Sequence, residues 1–278
     1  MRSRPTIQMF VTFCAAITIA SAASAQAQAP AKTDPYKPTV GQAGKDVVWV
    51  PTPEALVEKM LDMAKVTPQD YVMDLGSGDG RNIIAAAKRG ATAVGVEFNA
   101  DMVELSRREA AAQGVSSKAT FVQGDMYEAD ISKATVLALF LLPHNLTKLT
   151  PKFLALKPGT RIVGNTFAPE GWAADESETI TGDCVSWCTS LLWIVPAKVE
   201  GTWKLPQGEL VLKQEFQMIS GTLSANGTST PVSGKLRGDL ISFTVGSTEY
   251  AGRVSGDSMT GNIKSGATNG SWSATRAH

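Results

Sequence analysis

The residues best suited to chemistry lie in one glycine-rich stretch, YVMDLGSGDG at residues 71–80. An apolar run ends near Asp74, and glycines follow at positions 76, 78 and 80. Glycine lets the backbone turn sharply while it stays open to a ligand. An alanine-rich helix is predicted directly afterwards, from Arg81 to Arg89. Because backbone N–H groups at the start of a helix lie at the positive end of its dipole, the stretch predicts a site for a negatively charged ligand group.

The glycine spacing separates two classes of cofactor. A dinucleotide fingerprint, G-x-G-x-x-G, would place its third glycine at position 81. That position is Arg81, so a nicotinamide oxidoreductase is disfavoured. The pattern instead resembles the first motif of class I S-adenosylmethionine-dependent methyltransferases, whose loop wraps the amino-acid part of the cofactor. An ordinary strand-to-helix turn is the alternative. The resemblance assigns cofactor binding to Asp74, Gly76, Ser77, Gly78 and Gly80.

Two further strand ends support the same pocket. The predicted strand in AVGVEFN ends at Glu97, about 20 residues after the loop, where an acidic side chain can accept hydrogen bonds from ribose hydroxyls. Another predicted strand, residues 119–123, leads to an acidic residue and an apolar one. The resemblance implies that these two contact the adenine amino group and the adenine ring. The cofactor-binding residues predicted from the two strand ends are Glu97, Phe98, Asn99, Asp125 and Met126.

Longer segments narrow the resemblance to about residues 47–197. VPTP, DLGSGDGR, GVEFN, FVQGDMYEADISKATV, FLLP, LTPKFLALKPGTRIV and NTFAPEGW are similar to a small group of class I methyltransferases. That group includes the FAM173-type protein lysine methyltransferases of mitochondria and many bacterial relatives. The chain departs from the group at Ser77, where relatives often have cysteine, and at His144, where an acidic residue is common. The resemblance implies methyl transfer to a nucleophilic acceptor, either a protein lysine or a small molecule.

Two residues are weak candidates for catalysis. Direct displacement at a sulfonium methyl group depends mainly on orientation and desolvation, so no metal and no covalent intermediate are expected. His144 follows the fourth predicted strand and can titrate near neutral pH, although a lone exposed histidine is more often a bystander. Asp79 lies inside the glycine loop, where it can equally hold the turn.

The order of the predicted elements indicates an α/β fold. Buried strands alternate with amphipathic helices over residues 46–197, which predicts a Rossmann-like, mostly parallel sheet covered by helices on both faces. Ligands bind beyond the carboxyl ends of such strands, where the three motifs fall. Residues 198–278 are rich in glycine, serine and threonine and predict a small antiparallel β-meander of five or six strands. This meander is either a small open barrel or a sheet packed on the first domain. Its aromatic residues, Trp203, Phe243 and Trp272, would line a ligand site or, as is more usual, fill a core.

The N-terminus predicts export. Residues 1–27 have two arginines, a short apolar run and small residues at the end, as in a secretory signal peptide, and residues 28–45 have the composition of a linker. No transmembrane helix is predicted in the mature chain, which would be periplasmic. Cys184 and Cys188 would then pair as a disulfide in an oxidising compartment, with reduced thiols as the alternative.

Overall charge and export limit the classes of function. The 26 basic and 26 acidic residues balance, so no electrostatic case exists for nucleic-acid binding. Export raises an alternative to catalysis, because cytosolic cofactor is not obviously available outside the cell. In that alternative, the chain keeps the cofactor-binding fold without turnover, and its β domain binds an envelope ligand or partner.

Overall fold

The computed structural model describes Met1 and residues 36–182 and 184–277. Apart from Met1, the predicted signal peptide (1–27) lies outside the described residues, as do residues 28–35 of the predicted linker. The described chain forms a mixed α/β layer followed by an all-β unit. In the described residues, no helix combines the length and the apolar character needed to cross a membrane.

The first unit is built on a seven-stranded sheet with the order β3-β2-β1-β4-β5-β7-β6. Its first five strands are parallel, while β7 runs antiparallel to both β5 and β6. Reversal of the order on the two sides of β1 opens a crevice at the carboxyl ends of β1 and its neighbours. The strands are β1 (Tyr71–Leu75), β2 (Thr92–Glu97), β3 (Ala119–Gln123), β4 (Val136–Leu139), β5 (Arg161–Asn165), β6 (Glu176–Thr179) and β7 (Thr189–Ile194).

Helices cover both faces of this sheet. They are α1 (Glu54–Met63), α2 (Arg81–Lys88), α3 (Ala100–Ala112) and α4 (Pro143–Phe153). Alternate strand residues point to opposite faces, so Val72 packs in the core beneath the first three helices and Met73 packs in the core beneath α4. The predicted α/β sheet with helices on both faces is confirmed.

The C-terminal unit is a closed antiparallel barrel of eight strands, in which the last strand pairs with the first. The predicted antiparallel β domain is confirmed, but the predicted count of five or six strands was too low. Its strands are β8 (Gly201–Leu205), β9 (Gly208–Glu215), β10 (Met218–Ala225), β11 (Thr228–Arg237), β12 (Leu240–Val245), β13 (Thr248–Ser255), β14 (Ser258–Ser265) and β15 (Thr268–Arg276).

Aromatic side chains fill the barrel. Trp203, Phe243, Tyr250 and Trp272 are all buried, and the rings of Phe243 and Tyr250 stack with their centroids 4.6 Å apart. An eight-stranded barrel has room inside for little more than its own side chains. These aromatic residues therefore form the core of the barrel, the second of the two roles considered from the sequence.

The barrel packs on the segment that follows β5. The Phe216 ring stacks on Trp172 with a centroid distance of 5.5 Å. Gln217 Nε2 donates a hydrogen bond to the carbonyl oxygen of Ala173 at 2.8 Å. The N–H of Ala197 donates to the carbonyl oxygen of Gly238, also at 2.8 Å. Buried ring stacking and satisfied polar groups fix the barrel to the sheet.

Candidate active site

The glycine loop connects β1 to α2 and is tied to the neighbouring strand. The N–H groups of Gly76 and Ser77 both donate to the carbonyl oxygen of Val96, at 2.8 and 3.0 Å. Gly76, Gly78 and Gly80 all have positive φ, a conformation that other residues adopt only under strain. This conformation leaves the loop backbone open for the close approach of a ligand.

The carboxyl group of Asp74 is buried at the base of this loop. Its Oδ2 accepts a hydrogen bond from Asn82 Nδ2 at 2.9 Å, while its Oδ1 has no partner in the described chain. The side chain is 3% exposed. Burial raises the pKa of Asp74 to about 8, and the Glu97 and Asp79 carboxylates add to the shift. Ser77 Oγ is likewise buried without a partner among the described residues. Such groups are suited to a polar ligand, because buried polar atoms are normally hydrogen-bonded.

Glu97 connects the end of β2 to the glycine loop. Its Oε2 accepts from the N–H of Gly78 and its Oε1 from the N–H of Asn99, both at 2.9 Å. Asn99 itself caps α3, because its Oδ1 accepts from the N–H of Asp101 at 2.9 Å. Glu97 can still accept hydrogen bonds from a ligand, since each carboxylate oxygen has a second lone pair.

Asp125 lies beyond the end of β3 and pairs with Lys45, the last residue of the predicted linker. Its Oδ2 is 2.6 Å from Lys45 Nζ, and its Oδ1 accepts from the N–H of Tyr127 at 2.9 Å. These hydrogen bonds hold the pKa of Asp125 below its ordinary value. The Lys45 ammonium also lies 5.1 Å from the centroid of the Phe98 ring. Lys45 therefore occupies the mouth of the predicted adenine site.

Residues 41–49, here called the strap, form a short hairpin over the pocket. The N–H of Gly41 donates to the carbonyl oxygen of Trp49, and the N–H of Trp49 to that of Gln42, at 2.8 and 2.9 Å. Trp49 covers the glycine loop so closely that a Cβ on Gly78 would lie 2.8 Å from its Nε1 atom. The last residues of the predicted linker are thus part of the site.

Two adjoining cavities meet under the strap. The first contains the predicted nucleoside-binding residues Glu97, Asp125 and Met126, and the second contains Asp74 and Asn82. Residues common to both linings are Trp49, Val50, Gly76, Gly78 and Phe140. The junction of the two cavities therefore lies between the strap, the glycine loop and the end of β4.

All but one of the predicted cofactor-binding residues line these cavities. The lining includes Asp74, Gly76, Ser77, Gly78, Glu97, Phe98, Asn99, Asp125 and Met126. Gly80 is the exception, because a Cβ there would meet the Phe121 ring at 2.6 Å. Its role is to let the chain turn into α2 against buried side chains.

The two weak catalytic candidates have different positions. His144 is exposed in the first turn of α4 and is not among the described residues that line the two cavities. Asp79 lines the second cavity, but its Oδ2 is 2.5 Å from Arg81 Nη2. Arg81 in turn donates from Nη1 to the carbonyl oxygen of Thr52 at 2.6 Å. The structure therefore gives Asp79 a holding role in the loop.

An aromatic cluster that the sequence patterns do not predict lies beside the junction. It consists of Phe140, Phe167 and Trp187 and is here called the aromatic row. The Phe140 centroid is 6.1 Å from that of Phe167 and 6.1 Å from that of Trp187. Trp187 lies in the connection between β6 and β7, inside the loop closed by a Cys184–Cys188 disulfide. The only sequence signal for this cluster was the position of Phe140 at the end of a buried strand.

Comparisons with known proteins agree with this geometry. The family model for the ANTKMT methyltransferase domain matches residues 74–176. A protein-lysine N-methyltransferase of Saccharolobus islandicus (strain REY15A) is 46% identical over 133 residues, which are 47% of this chain and 83% of that protein. The adenine nucleotide translocase lysine N-methyltransferase of Mus musculus is 34% identical over 118 residues, 42% of this chain and only 51% of that relative.

A solved structure shows a similar fold. It is titled as an RNA methyltransferase from Salinibacter ruber in complex with S-adenosyl-L-homocysteine. The two chains are 42% identical with a TM-score of 0.51, and the match covers 54% of this chain and 96% of the other. The match thus includes almost the whole Salinibacter chain and about half of the present one.

Proposed function

Because the chain belongs to the ANTKMT-type family of S-adenosylmethionine-dependent methyltransferases, we propose that it methylates the side-chain amine of a lysine in a protein. The observation that carries the proposal is the pair of cavities that meet under the strap, with acidic residues at three strand ends around them. Similarity to the Saccharolobus protein-lysine N-methyltransferase supports a lysine acceptor.

The described residues fit S-adenosylmethionine. Asp74 Oδ1 and Ser77 Oγ, which are buried and unpartnered in the described chain, suit the polar groups of its amino-acid part. Glu97 can accept hydrogen bonds from ribose hydroxyls, and Asp125 and Met126 suit an adenine ring. When bound, the cofactor supplies an electrophilic methyl group to a neutral amine, leaving S-adenosylhomocysteine, after the acceptor ammonium has lost its proton to water.

The protein contributes orientation and exclusion of water. Trp49 and Phe140 line the junction of the cavities, so apolar rings surround the position where the two ligands would meet. Desolvation disfavours the charged form of an amine and therefore favours the neutral nucleophile. The strap covers the junction and can hold the acceptor amine in line with the methyl group to be transferred. Most of the rate enhancement is expected to arise from this orientation.

The test combines binding and transfer. Full-length protein is titrated calorimetrically with S-adenosylmethionine, then incubated with methyl-labelled cofactor and an extract of the source organism. We expect micromolar binding and label on lysine, located by mass spectrometry, and neither with the Asp74→Asn variant. No binding by the wild-type protein would refute the proposal, and binding without transfer to any acceptor would favour the non-catalytic alternative.

RNA is the second candidate acceptor, because the similar Salinibacter structure is titled as an RNA methyltransferase. The 26 basic and 26 acidic residues of this chain argue against it, since nucleic-acid binding depends on phosphate neutralisation by cationic residues. The labelled product decides between the two. Protease should release the label if the acceptor is a protein, whereas ribonuclease should release it if the acceptor is RNA.

Lys45→Ala is expected to tighten cofactor binding. Lys45 pairs with Asp125 and covers the Phe98 ring, so its ammonium competes with an adenine group for both. Exposed ion pairs are weak, so the dissociation constant for S-adenosylmethionine should fall by about two- to fivefold. Calorimetry measures it. Lys59→Ala is the matched control, because Lys59 forms a similarly exposed pair with Glu178 and does not line either cavity in the described chain. Weaker binding by Lys45→Ala alone would show that Lys45 contacts the cofactor.

A further inference from the structure

The aromatic row connects the protein surface to the junction of the two cavities. Phe140 lines both cavities and is only partly buried. Its ring is nearly parallel to that of Phe167, at 14°, and tilted by 57° from that of Trp187. Trp187 is 43% exposed. An incoming side chain can therefore follow aromatic surface from solvent to the point of transfer.

Trp187 is held in place by its loop. The Cys184–Cys188 disulfide closes the loop, and the N–H of Ile180 donates to the carbonyl oxygen of Cys188 at 2.9 Å. Trp187 itself has a φ of 55°, in the left-handed region that non-glycine residues rarely adopt. Strained backbone of this kind persists where surrounding structure enforces it, and it is concentrated at functional sites. The loop thus keeps a large apolar ring exposed next to Phe140, where the ring can receive a ligand.

The chemistry of these rings suits a lysine side chain. Aromatic faces attract an ammonium group, and their apolar surface packs against the methylenes of the lysine stem. The 57° tilt between Phe140 and Trp187 forms a corner, which fits a narrow chain.

We propose that Trp187, presented by the disulfide-closed loop, is a specificity-determining residue that binds the acceptor lysine and directs it along Phe140 to the junction of the cavities. The proposal rests on the proposed lysine methyltransferase function. It adds that acceptor recognition depends on the loop between β6 and β7, whose described residues do not line either cavity.

The first test observes binding without turnover. Saturation-transfer NMR is recorded on full-length protein with S-adenosylhomocysteine and the peptide acetyl-Gly-Lys-Gly-amide. We expect saturation transfer from the protein to the lysine methylenes. Trp187→Ala should reduce this signal about fivefold, because a cation–π contact at a partly exposed site contributes a factor of about this size to binding. Trp187→Phe keeps a ring and should retain at least half of the signal. Val185→Ala is the matched control, because Val185 lies in the same loop and is 96% exposed.

The second test measures transfer to the acceptor found in the extract. Trp187→Ala should raise the acceptor KM about fivefold, with little change in S-adenosylmethionine affinity. The double variant Cys184→Ser and Cys188→Ser should act in the same direction, because the open loop no longer holds the ring. An unchanged KM for Trp187→Ala would overturn the inference while leaving the methyltransferase function intact. If the wild-type protein methylates RNA and the NMR experiment shows no saturation transfer to the lysine peptide, both the inference and the proposed lysine acceptor fail.

Discussion

Asp74→Asn is expected to abolish S-adenosylmethionine binding and, at the same time, to raise the free energy of unfolding above pH 7. The carboxyl is 3% exposed, one of its oxygens lacks a partner in the described residues, and burial raises its pKa to about 8. A neutral amide avoids the cost of that buried charge and can still accept from Asn82. It cannot receive the cationic group of a ligand as a carboxylate can, so binding is lost as stability rises.

The pH dependence follows from the direction of the shift. Because the folded-state pKa lies above the ordinary value of 3.8, the folded protein binds this proton more tightly than the unfolded chain. Protonated Asp74 therefore contributes to the stability of the folded state. This contribution is fully present below about pH 4 and is lost as the pH rises towards 8. The stabilisation by Asp74→Asn should therefore grow over this window, to about 5 kcal/mol at pH 8, because each unit of pKa difference corresponds to about 1.4 kcal/mol. Urea denaturation at several pH values measures it.

Asp70 provides a matched control with the opposite sign. It is also buried, immediately before β1, but hydrogen bonds from Thr135, Thr67 and Arg161 outweigh the effect of burial and lower its pKa. The Asp70 carboxylate therefore stabilises the folded protein at pH values above the pKa that this group has in the unfolded chain. The stabilisation is lost as the pH falls through the lower pKa that it has in the folded protein. Asp70→Asn should therefore destabilise the protein at pH 7. A loss of stability in Asp74→Asn at pH 8 would contradict the prediction and would show that the carboxylate is ionised and solvated.

Cofactor affinity should depend on pH through the same carboxyl. If Asp74 must ionise to receive a cationic ligand group, the association constant of wild-type protein for S-adenosylmethionine rises from pH 6 to about 8 and then levels off. Proton release on binding, measured by calorimetry in buffers of different ionisation enthalpy, reports the linkage directly.

The strand-end residues could be predicted from sequence because their positions depend on local patterns. A buried strand, a glycine turn and a helix start are each visible in short segments, and parallel topology then brings Asp74, Glu97 and Asp125 to one edge of the sheet. Their spacing along the chain was sufficient to place them together. What each of them binds remains a prediction.

The strap and the aromatic row could not be predicted because they depend on contacts between distant residues. Lys45 is 80 residues from its partner Asp125, and the polar, glycine-rich sequence around it has the composition of a linker. Trp187 meets Phe140 only because a β-hairpin folds back beside β5. No local pattern encodes either contact.

Turn chemistry explains the error in the number of barrel strands. Gly238-Asp239 and Gly256-Asp257 form turns between strands, but Asn269-Gly270, a pair typical of hairpin turns, lies inside β15. The turn before that strand uses Gly266, with a φ of 58°. Another turn uses Phe216, a residue that rarely adopts its φ of 52°. Phe216 can do so because its ring stacks on Trp172 in the interface with the sheet, which is a tertiary effect.

Gly80→Ala is expected to lower the free energy of unfolding by about 3 kcal/mol, from about 1 kcal/mol of left-handed strain and about 2 kcal/mol of overpacking. Gly80 has a φ of 82°, and a Cβ there would lie 2.6 Å from the Phe121 ring and 2.9 Å from Ser106 Cβ. Both side chains are buried, and Ser106 Oγ donates to the carbonyl oxygen of Gly78 at 3.0 Å. A shift of either would therefore move the glycine loop as well.

The matched control is Gly114→Ala, because Gly114 has a φ of 72° and open space around its Cβ position. It should cost about 1 kcal/mol, the left-handed strain alone. Urea denaturation compares the two variants, and calorimetry compares their affinity for S-adenosylmethionine, which should fall only in Gly80→Ala. Equal destabilisation by both variants would mean that backbone conformation alone requires glycine at position 80. In that case Phe121 and Ser106 would be free to move without disturbing the loop, and the cofactor site would tolerate the substitution.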